Sequence, residues 1–154
     1  MMKTSAGILL YRLTGSEPEI LLIHPGGPFF KNKDSGVWSI PKGEPDENED
    51  LKDAAIREFR EELGSEISGN MIALTPVTQK GGKIVSAWAV EGDLDETTFT
   101  CNTFSIEWPP KSNKMQDFPE VDKAEWFTLP VARTKINEAQ AAFIDELLVI
   151  IDNK

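Results

Sequence analysis

At 154 residues with a single cysteine, Cys101, the chain is long enough to bury a core unaided and holds neither an internal disulfide nor a cysteine metal cluster. Apolar residues at 40% and charged residues at 27% are ordinary for a soluble globular protein, and a formal net charge of −10 argues against nonspecific nucleic-acid binding, which needs a basic surface. The N-terminal MMKTSAGILLYRL is too short for a membrane span and lacks a secretion-signal cleavage pattern, so one cytoplasmic domain, 1–154, with no membrane partner is expected.

Residues 5–13 and 19–24 read as two strands around the turn signal TGSEP at 14–18. Residues 25–37, PGGPFFKNKDSGV, read as a loop, and Trp38-Ser39-Ile40 as a short extended piece leading to Pro41-Lys42-Gly43. A helix is expected from about 50 to 63, ended by Gly64 at C′. Strands are expected over 72–77 and 83–91, parted by the turn Lys80-Gly81-Gly82, then over 103–108, with a loop at 109–114 and a short extended piece at 124–127. Asn137 is placed as a helix N-cap, with Gln140 completing a capping box. Phe143, Ile144, Leu147, Leu148 and Ile151 then give an apolar stripe to the C-terminus. Strands mixed with two helices predict an α/β (α+β) sandwich with a mixed sheet.

The segment from 43 to 64, GEPDENEDLKDAAIREFREELG, carries the chemistry. On a helix, Glu58, Glu61 and Glu62 fall within an arc of roughly 100° as i, i+3 and i+4 neighbours. Ile56, Phe59 and Leu63 form an adjoining apolar stripe, so the acidic arc borders the buried face. Three carboxylates so close repel one another, and a hard cation with oxygen ligands, Mg²⁺ or Mn²⁺, removes that cost. Arg57 stands four residues before Glu61 and can pair with it or orient it. An acidic run is usually a solvated face. Residues 46–53 alone deserve that reading, but the spacing and flanking glycines set 58–62 apart.

The whole pattern resembles the Nudix box, G-x5-E-x7-R-E-U-x-E-E-x-G-U, with U a bulky apolar residue. Phe59 fills the first U, and Ser65 departs from the last. The resemblance implies a mixed sheet between helices, with the box as loop–helix–loop. It implies a catalytic set of Glu61, Arg57, Glu49 and Glu120, in which Arg57 and Glu49 brace the box, and metal ligation by Glu58, Glu61 and Glu62. Glu120 corresponds loosely to a further glutamate that many Nudix enzymes place before a tryptophan, here Trp126; Glu125 competes for that place. Lys42 and Gly43 lie at the mouth of the proposed site, Lys83 follows a glycine turn, and Trp108 precedes a stiff Pro-Pro turn where a purine could stack. These four are the expected substrate contacts. His24 reads as packed or hydrogen-bonded, and Cys101 is given no role.

The implied reaction is hydrolysis of a phosphoanhydride bond in a nucleoside diphosphate linked to another group. The lead-in Trp38-Ser39-Ile40-Pro41-Lys42-Gly43 is similar to the W-x-x-P-K-G of diadenosine tetraphosphate hydrolases, pointing to a small (di)nucleoside polyphosphate rather than nucleic acid. A nucleoside triphosphate pyrophosphatase is the alternative. A noncatalytic nucleotide-binding module is disfavoured because every box glutamate is present.

Overall fold

The computed structural model describes residues 3–13 and 15–153. Residues 5–11 of β1 (Thr4–Arg12) are all buried, the mark of a strand covered on both faces. Its side chains alternate: Ala6, Ile8 and Leu10 enter one apolar cluster, Leu9 and Tyr11 the other. β1 pairs antiparallel with β2 (Glu19–Pro25) and parallel with β6 (Ile84–Glu91), so the sheet is mixed. Its order is β4-β6-β1-β2-β9, where β4 is Ile72–Ala73 and β9 is Val121–Thr128. Two short strands join at the side: β3 (Lys42–Gly43) on β1 and β5 (Val77–Thr78) on β6.

One face is covered by α1 (Leu51–Leu63), through Ala54, Ala55, Phe59 and Leu63. The other is covered by α2 (Leu129–Lys135) and α3 (Ala141–Asp152), through Leu129, Ala132, Phe143, Ile144 and Leu147. This is the expected mixed α+β sandwich. A separate antiparallel hairpin, β7 (Thr103–Glu107) and β8 (Met115–Pro119), stands off the sheet. No helix among the described residues is long and apolar enough to cross a membrane.

Several local expectations are corrected. The strand expected over 72–77 is broken after Ala73, because Pro76 has no N–H and the N–H of Thr75 donates to Glu146 of α3 at 2.8 Å. β8 and α2 went unforeseen: β8 reads MQDFP, with no apolar alternation, and α2 has seven residues beginning LP. The extended piece at 124–127 is the middle of the longer β9. Asn137 caps a 3-10 turn (Glu138–Gln140), its Oδ1 accepting from the N–H of Ala139 at 3.0 Å. Gln140 closes no capping box. Its side chain turns inward, where Oε1 accepts from the buried N–H of Ile40 at 3.1 Å and Nε2 donates to Gln79 at 2.8 Å. Ile56 is only half-buried, so the buried stripe of α1 turns towards Ala54 and Ala55; in α3, Ile151 is half-buried and Leu148 exposed. Thr14, in the expected turn at 14–18, lies outside the described residues.

Candidate active site

α1 begins at Asp50, whose side chain accepts from the N–H of Asp53, and ends at Gly64, in the left-handed region at φ 70°. Burial of Ala54, Ala55, Phe59 and Leu63 against the sheet sets the rotation of the helix, and that rotation turns Glu58 and Glu62 towards β3. Glu62 is 9% exposed, and its Oε2 accepts from the backbone N–H of Lys42 at 3.1 Å. Gly43 lies against the carboxyl group of Glu58: a Cβ there would stand 2.1 Å from its Oε2. The box glycine therefore leaves room for a carboxylate rather than for an unusual backbone angle.

Arg57 ties the preceding loop to the helix. It donates to both oxygens of Glu49, from Nε at 2.9 Å and from Nη2 at 2.8 Å. Its Nη1 donates to Glu58 at 2.9 Å and to Glu61 at 3.0 Å, and Nη2 reaches the carbonyl of Glu44 at 3.2 Å. Arg57, with the N–H of Asp46 assisting, holds the Glu49 carboxyl down at about 2. In return the Arg57 guanidinium is raised above its usual range, chiefly by Glu49. The sequence pairs Arg57 with Glu61 by helical spacing; the structure adds Glu49, from outside the helix, as its bidentate partner.

Burial pushes the Glu62 carboxyl up to about 8, with Glu58 adding repulsion and Lys42 opposing it. Glu58 is also raised, first by burial and then by Glu61 and Glu120, against the pull of Arg57. Lys42 is lowered, first by burial and then by Lys83. Among the described residues no three His, Cys, Asp or Glu side chains are gathered tightly enough to close on an ion as they stand. Glu58 and Glu61 both turn to Arg57 Nη1. The donor set still fits a hard divalent cation. It is oxygen-only, and two of its carboxyls favour protonation through burial and mutual repulsion, which a cation would relieve in the proton's place.

A cleft of about 320 Å³ opens beside these groups. Lys42, Glu62 and Glu120 line it together with Gln79, Gln140 and Phe30. Glu120, in the turn between β8 and β9, is exposed and brings a fourth carboxylate into the field of Glu58 and Glu62. Its rival Glu125 lines a different cavity. Lys83 stands near Lys42, with Nζ 4.0 Å from Glu44 Oε1. Trp108 is absent from the cleft lining; it is half-buried and meets Phe29 edge-on at 5.6 Å. His24 is buried and hydrogen-bonded, and the Cys101 thiol contacts the carbonyl of Val121 at 3.4 Å. Sequence reasoning missed Gln79, Gln140 and Phe30 as cleft residues. Only Gln140, a polar residue heading an apolar stripe, offered a signal.

A family model described as the NUDIX domain matches residues 1–147. The chain belongs to the Nudix family. Among solved structures, this Nudix fold superimposes on an Ap4A hydrolase from C. elegans in a binary complex with a TM-score of 0.69, at 20% identity over 97% of this chain and 99% of that one. It superimposes on the NUDIX domain of Shewanella oneidensis NrtR, solved with ADP ribose, with a TM-score of 0.68, at 14% identity over 98% of this chain and 89% of that one. At such identities the likeness is one of fold. A curated relative, an RNA pyrophosphohydrolase from Gluconacetobacter diazotrophicus, is 46% identical over 41 residues, which are 27% of this chain and 22% of that protein.

Proposed function

We propose that this Nudix protein hydrolyses a phosphoanhydride bond in a nucleoside diphosphate linked to another group, with a small (di)nucleoside polyphosphate as substrate. The observation that carries this reading is the buried Glu62 joined to Lys42 on the wall of one cleft, with Glu58 and Glu120 in its field. Phosphate-chain cleavage calls for cation-binding carboxylates beside a phosphate-binding cation, and the carboxylates gathered beside Lys42 support that reading.

Glu58, Glu61 and Glu62 would hold Mg²⁺ or Mn²⁺, which supplies charge neutralisation on phosphate oxygens and a lowered pKa for the attacking water. Lys42 and Lys83 position the phosphate chain as point charges. Gly43 keeps the space that Glu58 occupies. Arg57 and Glu49 brace the box without touching substrate. Glu120 takes the proton of the attacking water. Arg57 holds Glu58 and Glu61 and the Lys42 N–H holds Glu62, whereas the carboxylate of Glu120 has no hydrogen-bond partner among the described residues. Phe30 and Val37 give the cleft its apolar wall, so the base-stacking role expected of Trp108 passes to Phe30.

The 41-residue match to an RNA pyrophosphohydrolase favours a second reading, release of pyrophosphate from a 5′-triphosphate. Mg²⁺-dependent hydrolysis of diadenosine tetraphosphate, ATP, 8-oxo-dGTP, ADP-ribose and NADH, with products resolved by chromatography, tests both. The first reading expects ATP and AMP from diadenosine tetraphosphate. A monophosphate plus pyrophosphate, from a triphosphate alone, supports the second. Tight binding with no cleavage in Mg²⁺ or Mn²⁺ overturns both.

A further inference from the structure

The loop that follows β2 walls two cavities. Phe30, Gly36 and Val37 face the active-site cleft. Residues 31–34 and Trp38 face a separate cavity of about 380 Å³. Lys31, Lys33, Lys123 and Lys135 meet around it, against the carboxylates of Asp34 and Glu125. Lys135 pairs with Asp34. Lys31, Lys33 and Lys123 make no ion pair among the described residues. Lys33 Nζ stands 5.7 Å from the ring centroid of Phe30, so Lys31 and Lys123 are the cations left without a counter-charge or ring partner among the described residues, in a chain of net charge −10.

The wall is firmly held. His24 is 3% exposed, with Nδ1 2.7 Å from Asp122 Oδ1 and Nε2 2.6 Å from the carbonyl of Lys33. Its ring meets Trp38 edge-on at 5.1 Å, and Trp38 Nε1 donates to Asp34 Oδ1 at 2.8 Å. The lysine-bearing loop is thus anchored at Lys33 and Asp34 before any ligand arrives. Gathered like charges repel, and an anion among them offsets that repulsion. Lysine ammonium groups suit phosphate oxygens, which accept from several donors at once.

We propose that this cavity is a second anion site, taking a phosphate group through Lys31, Lys33 and Lys123. The phosphate has two sources. One is the part of the nucleotide substrate remote from the scissile bond, reaching across the shared loop; this source rests on the function proposed above. The other is free inorganic phosphate.

Amide chemical-shift titration of the metal-free full chain with inorganic phosphate tests the site itself. Saturable shifts are expected at residues 31–34 and 123–125 by about 10 mM, tenfold above a 1 mM Kd. The charge-reversed variant Lys31→Glu/Lys123→Glu, with its dispersed spectrum showing that it folds, is expected to lose those shifts. Absence of saturable shifts there, or their survival in the variant, overturns the proposal. Kinetics of the same variant separate the sources. A KM raised about tenfold for diadenosine tetraphosphate but unchanged for ATP, as loss of charge-assisted contacts to phosphate predicts, assigns the site to substrate. Unchanged KM values with phosphate binding lost assign it to free phosphate. Should neither nucleotide be cleaved, the titration still decides the site, and only the function proposed above fails.

Discussion

Gly43→Ala separates the chemistry of the box from its folding. The new Cβ would stand 2.1 Å from both Cδ and Oε2 of Glu58. Those atoms are the far end of a flexible side chain, so Glu58 swings away while the backbone stays. The stability lost is then at most the Arg57–Glu58 contact at 2.9 Å, bounded by the about 1.5–3 kcal/mol of a hydrogen bond to a charged group. Glu49 and Glu61 still hold Arg57, which lowers the cost. Activity falls further, because a reacting group displaced by about 1 Å costs about 10²-fold. Gly64→Ala is the control. It forces a Cβ into the left-handed region at φ 70°, for about 1–2 kcal/mol or about 2–8 °C in Tm, and sets that Cβ 2.2 Å from Thr100 Oγ1, which must turn away; kcat falls less than in Gly43→Ala because no box carboxylate is displaced. Thermal unfolding and kcat for Mg²⁺-dependent hydrolysis are measured on both variants. A folded Gly43→Ala variant with wild-type kcat, or a Gly64→Ala variant that loses as much, would mean that Gly43 does not serve the chemistry through the space it leaves for Glu58.

Further outcomes follow from the same geometry. Glu61→Gln and Glu62→Gln fold normally and lose at least about 10² in kcat, measured in steady-state assays; full activity in both removes the metal-site assignment. Glu120→Gln loses about 10²–10⁴ in kcat with unchanged Tm, since that side chain is exposed and bonds to nothing described. The Glu49 carboxyl sits at about 2 against an ordinary 4.5, so its contribution to stability is present above 4.5 and lost as pH falls towards 2. Acid unfolding of Glu49→Gln therefore shows a smaller drop across that window. Glu62 runs the other way: raised to about 8, it makes the folded state bind the extra proton, so metal-free stability falls as pH rises from 4.5 to 8. Denaturant melts in EDTA show that slope in the wild type and a flatter one in Glu62→Gln.

The parts of the fold legible in sequence were those with a strong local signal. The box helix has Asp50 as its cap, Gly64 as its stop and an apolar face, and it forms where those residues place it. β1 and β2 hold continuous apolar runs and β6 an apolar run interrupted by Ser86, and each became a strand of the sheet. What failed was set by partners distant in sequence. Thr75 bonds to Glu146 across 71 positions, and Gln140 reaches Ile40 across 100; no local pattern reports either. β8 is specified by pairing with β7 rather than by its own residues. At the site, helical spacing grouped Glu58, Glu61 and Glu62 and paired Arg57 with Glu61. The cleft's far wall comes instead from Phe30, Gln79, Glu120 and Gln140, which only tertiary packing brings to one place. Glu120 and Glu125 could not be told apart by position along the chain; in the folded chain they line different cavities.

The proposed chemistry is cleavage of a nucleotide's phosphate chain in the carboxylate cleft with the help of a divalent cation. The most direct test follows diadenosine tetraphosphate turnover in wild type and Glu61→Gln while Mg²⁺ is titrated from EDTA-treated protein. No turnover is expected without Mg²⁺, a saturable rise to ATP and AMP is expected with it, and the variant is expected to lose at least about 10². Turnover that ignores Mg²⁺, or a variant as active as wild type, would contradict that chemistry.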